Sequence, residues 1–331
     1  LRTPAFWYRP PGAAAAALAP LGALYGLIGR RRLAASAPRR VGVPVICVGN
    51  LVAGGAGKTP VGLAILAALR ARGVNAHALT RGHGGREAGP LRVDPTRHGA
   101  ADVGDEALLL AESAPCWVAR DRAAGAEAAV AAGAGAIVMD DGFQNPGLLK
   151  DRSLVVVDGA VGFGNGRLIP AGPLRERIAD GLRRASALVI VGPDQTGVAA
   201  LAGGLPVLRA RLAPDESGLA LAGRRVLAFA GIGRPEKFFA TLESLGAAVV
   251  ARRSFADHHP YQAAEIQALL DQAAALDALP VTTAKDAVRL PADLRARVAA
   301  LPVAIVWDVP ADLDRLLDHP SLKGGSHGEA A

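Results

Sequence analysis

Cysteine is nearly absent: the 331 residues hold two, Cys47 and Cys116. Two cysteines build no disulfide framework, so a reducing compartment suits the chain. Cys47 lies in an apolar run and reads as a core thiol. Aromatics make up only 4%, and no basic stripe interleaved with them occurs. The net charge of +7 favours anionic partners, namely nucleotide, anionic lipid or nucleic acid. With no nucleic-acid motif present, nucleic acid is the weakest of the three. Lysine is scarce as well, standing only at 58, 150, 237, 285 and 323 while the other basic residues are arginine. Lys58 and Lys285 are the two whose surroundings suit a compact ammonium on a phosphate oxygen. Also missing is an uncharged run of the about 20 residues that cross a bilayer. Ala13 to Ile28 is uncharged but shorter, and Pro20 interrupts it.

That N-terminal stretch still carries a pattern. Leu21, Leu24, Tyr25 and Ile28 recur at helical spacing, and Arg30, Arg31, Arg32, Arg39 and Arg40 follow. Residues 1–40 therefore read as an amphipathic membrane-docking segment for an anionic surface, with Phe6, Trp7 and Tyr8 as interfacial aromatics. The competing reading is a helix packed on the protein's own core. No signal peptide is expected, because Pro4, Arg9, Pro10 and Pro11 stand where an apolar stretch would be needed.

Hydrophobic residues make up 51% of the chain and charged ones 20%, a globular composition long enough for two α/β domains. The most informative segment is Val45-Ile46-Cys47-Val48-Gly49-Asn50 followed by Leu51-Val52-Ala53-Gly54-Gly55-Ala56-Gly57-Lys58-Thr59-Pro60. It reads as a buried strand, a phosphate-binding loop over residues 52–59 and a helix from Val61 to Arg72. Glycines let backbone N–H groups turn toward phosphates, and the helix N-terminus adds positive potential. Lys58 suits the β- and γ-phosphates of ATP, and the Thr59 hydroxyl suits Mg2+. The usual first glycine is missing, since Val52 stands there. Ala53 also differs from the lysine that partitioning ATPases carry before their double glycine.

Strand and helix patterns alternate after the loop. Strands are expected at 76–80, 116–118, 136–139, 154–157 and 187–191, with helices at 107–111 and 122–132. Continuous apolar strands between helices mean a parallel sheet with both faces covered. A second alternation begins near Arg225: strands at 226–230, 247–251, 280–283 and 303–307, and helices at 235–245 and 262–276. The expected division is a kinase-like domain at 41–220, a smaller α/β domain at 221–320 that closes a cleft, and a disordered tail at 321–331.

Asp140-Asp141-Gly142-Phe143-Gln144 follows the strand ending at Met139. A carboxylate at a buried strand end is the arrangement that holds magnesium beside such a loop. Adjacent residues on a strand face opposite ways, so one acid serves the metal and the other a different contact. Asp105 stands at an expected helix N-terminus and reads either as a plain cap or as the base for an attacking hydroxyl. Asp257-His258-His259 is open to three readings: structural, a metal site, or a histidine assisting a carboxylate across a cleft. Arg81, Arg120, Arg122 and Arg175 fall at strand ends or in loops and are candidate phosphate clamps.

Taken in order, these segments resemble the tetraacyldisaccharide 4'-kinase family, the lipid A kinases of Gram-negative bacteria. The matching pieces are Leu24-Tyr25-Gly26, Gly49 through Pro60, Thr80-Arg81-Gly82, Gly104-Asp105-Glu106, Asp140 to Gln144, Ile169 to Glu176, Asp257-His258 and Thr283 to Asp286. The resemblance implies a peripheral enzyme on the cytoplasmic face of the inner membrane. Such an enzyme moves the γ-phosphate of ATP to the 4'-hydroxyl of a tetraacylated glucosamine disaccharide 1-phosphate, with no obligate protein partner evident. It implies Lys58 and Thr59 at phosphate and magnesium, and Asp140, Asp141 and Gln144 at the metal. It implies Asp105 as base assisted by His258, and Arg81, Arg120, Arg175 and Glu176 around substrate or phosphate. Asn145, Ala284 and His83 depart from the family pattern of His, Glu and Tyr at those places. The rivals are a membrane-associated ATPase switch of the partitioning type, against which Ala53 argues, and a soluble small-molecule kinase. A guanine-reading motif is excluded, because Thr283-Ala284-Lys285-Asp286 sets the lysine one place late.

Overall fold

The computed structural model describes residues 4–215 and 220–318, so the expected tail at 321–331 lies outside the described residues. Eight strands come first: β1 (Val45–Gly49), β2 (Ala76–Thr80), β3 (Leu91–Arg92), β4 (Cys116–Val118), β5 (Ala136–Asp140), β6 (Arg152–Asp158), β7 (Ala187–Val191) and β8 (Val207–Pro214). Four more follow as β9 (Arg225–Ala230), β10 (Ala248–Ser254), β11 (Leu279–Thr283) and β12 (Ala299–Leu301), and β13 (Val303–Trp307) is last.

The large sheet has nine strands in the order β13-β8-β7-β6-β1-β5-β2-β4-β3. Its seven inner strands run parallel, and the edge strands β3 and β13 are antiparallel to their neighbours. β1, β2, β5 and β7 are buried along their whole length, as parallel strands with both faces covered must be. Ile46, Val48, Val138, Leu154 and Val156 face the layer holding the helix Lys58–Ala71, while Cys47, Ile137, Met139, Val155 and Val157 face the other. The order reverses around β1, so a crevice opens at the carboxyl end of that strand, where open α/β sheets bind ligands.

The small sheet is also parallel, in the order β10-β9-β11-β12. Helices Pro235–Ser244 and Ala263–Ala275 cover its two faces through Phe238, Phe239 and Leu242 on one side and Ile266, Leu269 and Leu270 on the other. One strand of the second alternation is not in this sheet. β13 pairs antiparallel with β8 in the large sheet, Ile305 opposite Leu212. The helix after it, Pro310–Leu317, lays Leu313 and Leu317 into the large core.

The N-terminal helix spans Ala13–Ala34, 22 residues, and by length and composition it is long and apolar enough to cross a membrane. Pro20 sits inside it without ending it. Its contact face is small: Gly22 and Gly26 press on Leu168, where an added Cβ at Gly26 would come within 2.5 Å of Leu168 Cδ1. The large apolar side chains face away from the protein, with Leu24 53% and Ile28 59% exposed. A helix serving as core would be turned the other way. The expected amphipathic form also differs, since the charge lies at the C-terminal end in Arg30 to Arg32 rather than along an opposite face. The Trp7 indole N–H donates to the Pro170 carbonyl at 3.0 Å, which ties the start of the chain to the large-sheet body.

Candidate active site

β1 delivers the chain to the crevice through Gly49, where a Cβ would lie 2.4 Å from that of Phe143. The loop then departs from a standard phosphate loop for a visible reason. Val52 forms an antiparallel bridge with Leu174, and its side chain is buried. The Ala53 N–H donates to the Pro173 carbonyl at 2.8 Å, and the Arg175 N–H to that of Leu51 at 2.7 Å. Position 52 thus serves as a pairing residue, where β-branched valine suits and glycine would weaken the pairing. Val52 and Ala53 are thereby tied to the segment Arg167–Arg175, and the cradle itself narrows to Gly54 through Thr59. Gly54 and Gly57 have φ of 124° and 85°, a region that side chains disfavour. The helix opens directly at Lys58, three residues before the expected start at Val61.

The strand-end acids divide as the pleat demands. Asp140 is fully buried, and the Thr59 hydroxyl donates to its Oδ2 at 3.1 Å. Its Oδ1 is buried with no hydrogen-bond partner. Burial, with Glu106 adding to it, pushes the Asp140 carboxyl up to about 7. Asp141 turns away with φ 48°. Its Oδ1 lies 2.8 Å from an Arg175 nitrogen and 3.7 Å from Lys58 Nζ. Burial works to raise the Asp141 pKa, but Lys58 and Arg175 outweigh it and hold it below the usual range.

Behind these lies a polar bracket. The Gln144 amide donates to the Asn50 carbonyl at 2.8 Å and to Glu176 at 3.0 Å, and Arg184 closes on Glu176 from the other side. Gln144 and Glu176 therefore support the loop from beneath. Asn145 accepts from the Gly147 and Leu148 N–H groups and closes a turn. Arg120 reaches the Arg86 carbonyl, whereas Arg81 is exposed and makes no hydrogen bond or ion pair among the described residues. Arg122 is buried beside it, with Nε unpartnered, and burial followed by the Arg81 charge brings its pKa down to about 10.

The second half of the site joins the two sheets. Asp105 begins the helix Asp105–Ser113 and is 4% exposed. Gly104 before it has φ 85°, and a Cβ there would lie 2.4 Å from the His83 carbonyl oxygen. His258, in the loop after β10, places Nδ1 2.9 Å from Asp105 Oδ2. Oδ2 is buried and has no hydrogen-bond donor beyond this close approach. His258 stands at φ 58°, and the His83 ring meets its ring edge-on at 6.3 Å. Lys285 Nζ lies 3.3 Å from His258 Nε2 and 3.9 Å from Asp105 Oδ2, and Arg289 Nε lies 3.6 Å from that same oxygen. Burial pushes the Asp105 pKa up, but the His258 contact, Lys285 and Arg289 outweigh it and hold the carboxyl below its ordinary value. Among the described residues no group of three His, Cys, Asp or Glu side chains could hold a metal, and His259 pairs instead with Glu265.

Arg289 had no sequence signal, since nothing in the spacing links it to Asp105. Glu106 and Lys285 lay inside segments already singled out, but only the fold shows Lys285 Nζ 3.6 Å from Glu106 Oε1.

A glycine loop at a strand–helix junction, a buried strand-end acid bonded to its threonine, and a lysine beside a second acid define a P-loop nucleotide-binding α/β protein. The family model for tetraacyldisaccharide-1-P 4'-kinase matches residues 14–321. A protein named tetraacyldisaccharide 4'-kinase from Rhodospirillum centenum is 65% identical, with 100% of each chain covered. One of the same name from Rhodospirillum rubrum is 58% identical over 96% of this chain and 97% of its own. The solved LpxK chain of Aquifex aeolicus, in complex with ATP, is similar at a TM-score of 0.75 and 26% identity, covering 91% of this chain and 98% of that one. The chain belongs to the tetraacyldisaccharide-1-P 4'-kinase family.

Proposed function

We propose that this chain transfers the γ-phosphate of ATP to the 4'-hydroxyl of tetraacyldisaccharide 1-phosphate, a step of lipid A synthesis, at the junction of its two sheets. The observation that carries the reading is the meeting of Asp105 and His258 at 2.9 Å beside the phosphate loop. Phosphoryl transfer needs positioning and charge neutralisation more than covalent help. Gly54 to Thr59 cradle the phosphates, and Lys58 neutralises the β- and γ-oxygens. Arg175 and Asp141 set the direction of the Lys58 side chain. Asp105 accepts the proton of the sugar hydroxyl, and His258 orients it. The free guanidinium of Arg81 and the buried one of Arg122 stand ready for an anion.

The donor set fits magnesium. Asp140 offers a buried, unpartnered carboxylate oxygen, and the Thr59 hydroxyl lies beside it. Magnesium takes one or two carboxylates, with phosphates and water completing its shell, so no larger acidic cluster is needed. When bound it spreads the charge that develops on the phosphate oxygens.

The division at 41–220 and 221–320 is offered here as two bodies that close over ATP and the sugar head group, with β13 reaching back to the first. Incubation with magnesium, γ-labelled ATP and the tetraacyldisaccharide 1-phosphate in detergent micelles tests the reaction. Label is expected in the lipid. A folded, ATP-binding protein that labels no lipid overturns the assignment and favours the ATPase-switch reading, against which Ala53 argues because such switches carry a lysine there.

The exposed Leu21, Leu24, Tyr25 and Ile28 with the following arginines support peripheral docking on an anionic membrane. The Leu24→Asp, Ile28→Asp double variant is expected to lose at least about tenfold in partitioning to vesicles of anionic phospholipid, given the cost of charges at an apolar interface. Cosedimentation measures it, and unchanged binding would refute docking through this face.

A further inference from the structure

We infer that Arg289, locked in place by the buried carboxylate of Asp286, is a positioning residue for Asp105, so that docking of the small sheet completes the base. The inference rests on the reading of Asp105 as base.

Asp286 is fully buried at the start of the short helix Ala284–Ala287. It accepts from the Gly231 N–H at 2.9 Å, the Tyr261 hydroxyl at 2.8 Å, the Thr283 hydroxyl at 2.5 Å and Arg289 at 2.6 Å. A buried carboxylate with this many donors is held in one place. The Arg289 side chain is only 5% exposed, and its guanidinium is fixed on its other edges too. It donates to the Gly231 carbonyl at 2.9 Å, the His259 carbonyl at 3.1 Å and the Lys285 carbonyl at 3.2 Å, and it lies over the Tyr261 ring at 5.6 Å. The His258 N–H donates to that same Gly231 carbonyl at 3.1 Å. Arg289 and His258 are therefore registered against one peptide group, and both face Asp105.

Among the described residues, the His258 ring and the Lys285 and Arg289 cations that face Asp105 Oδ2 all come from segments that follow strands of the small sheet. On the large-sheet side stand its own helix, with the Glu106 N–H donating to Oδ1 at 2.9 Å, and the Glu106 carboxylate facing Lys285. His83 lies against His258 from that side, and Asp257 is 4.0 Å from His258 Nε2. Arg289 has spent its Nε–H on the Lys285 carbonyl, so it acts on Asp105 through charge and not through a hydrogen bond. Arg289 thus favours the ionised form of Asp105 without itself occupying a lone pair of Oδ2.

The test is the pH dependence of kcat/KM for lipid labelling in the full chain, with Arg289→Gln, Arg289→Lys, Lys285→Met and Asp105→Asn. Removing a cation raises the Asp105 pKa, so the base is protonated at a higher pH. The acid limb of the profile is then expected to move up by about one pH unit in Arg289→Gln and Lys285→Met, with KM for ATP unchanged. Arg289→Lys is expected to restore part of the shift. Should Arg289→Gln fail to fold, Lys285→Met on the exposed side carries the same measurement. An inactive Asp105→Asn beside an unmoved acid limb overturns the positioning role alone. An Asp105→Asn variant at the wild-type rate overturns the base reading and this inference with it.

Discussion

Lys58→Ala is expected to lower kcat for lipid labelling by at least about 10³-fold, the range seen when a preorganised charge at a transferring phosphate is removed. The fold should tolerate the change. Lys58 is 8% exposed, and its one acidic contact, Asp141, keeps Arg175 at 2.8 Å after the lysine is gone. Asp140, whose buried carboxyl Lys58 also acts on, keeps the Thr59 hydroxyl, so the thermal midpoint should move by no more than a few degrees. Single-turnover transfer of label separates this from a binding defect: the rate falls even at saturating ATP. Lys58→Arg is not expected to rescue, because a planar guanidinium fork does not replace a compact ammonium on a phosphate oxygen. A Lys58→Ala enzyme with more than about a tenth of the wild-type rate would remove the lysine from the phosphate site.

The second large effect falls on Asp140. Asp140→Asn keeps the shape and the Thr59 contact but removes the charge whose Oδ1 has no protein partner. Loss of kcat of about 10²-fold or more is expected. The sharper reading is thermal. ATP with magnesium stabilises a folded protein by an amount set by ligand concentration over Kd. In the wild type, magnesium should increase the shift that ATP gives, and in Asp140→Asn that increment should vanish while the shift with ATP alone persists. A variant that keeps the magnesium increment would place the metal elsewhere. The variant should be no less stable than the parent without ligand, since a buried carboxylate without full partners costs more than an amide of the same size.

Much of this site was legible from residues alone, and the reasons it was not wholly so are physical. The strand, the glycines, Lys58 and the paired acids announce themselves because backbone geometry and phosphate charge restrict those positions to few residue types. Val52 looked like a defect in the loop, and only the bridge to Leu174 shows it to be a pairing position. Asp105 and His258 carry no local sign of each other, and it was family resemblance, not spacing, that joined them. Arg289 and Arg122 are buried arginines in a chain full of surface arginines, and burial is a property of the fold. β8 escaped notice because Arg209 and Arg211 alternate with Leu208 and Ala210, so the strand lacks the unbroken apolar run of its buried neighbours. β13 was found but placed with the wrong partners, since adjacency in sequence to β12 says nothing about which sheet an edge strand joins.

The return of β13 to β8 also orders events in time. The chain leaves the large sheet at Pro214, builds four strands, and comes back to set Val303 opposite Pro214. Pairing that spans so much sequence must wait for the intervening chain to be made and collapsed. On a ribosome, the strands that flank the glycine loop emerge and can pair long before the residues that face Asp105. The nucleotide half of the site therefore exists first, with Asp105 still lacking the residues that face it. His258, Lys285 and Arg289 all lie in the interval between β8 and β13, so the chemistry arrives with the last stage of assembly. A growing chain would in this way hold a phosphate cradle well before it could spend ATP.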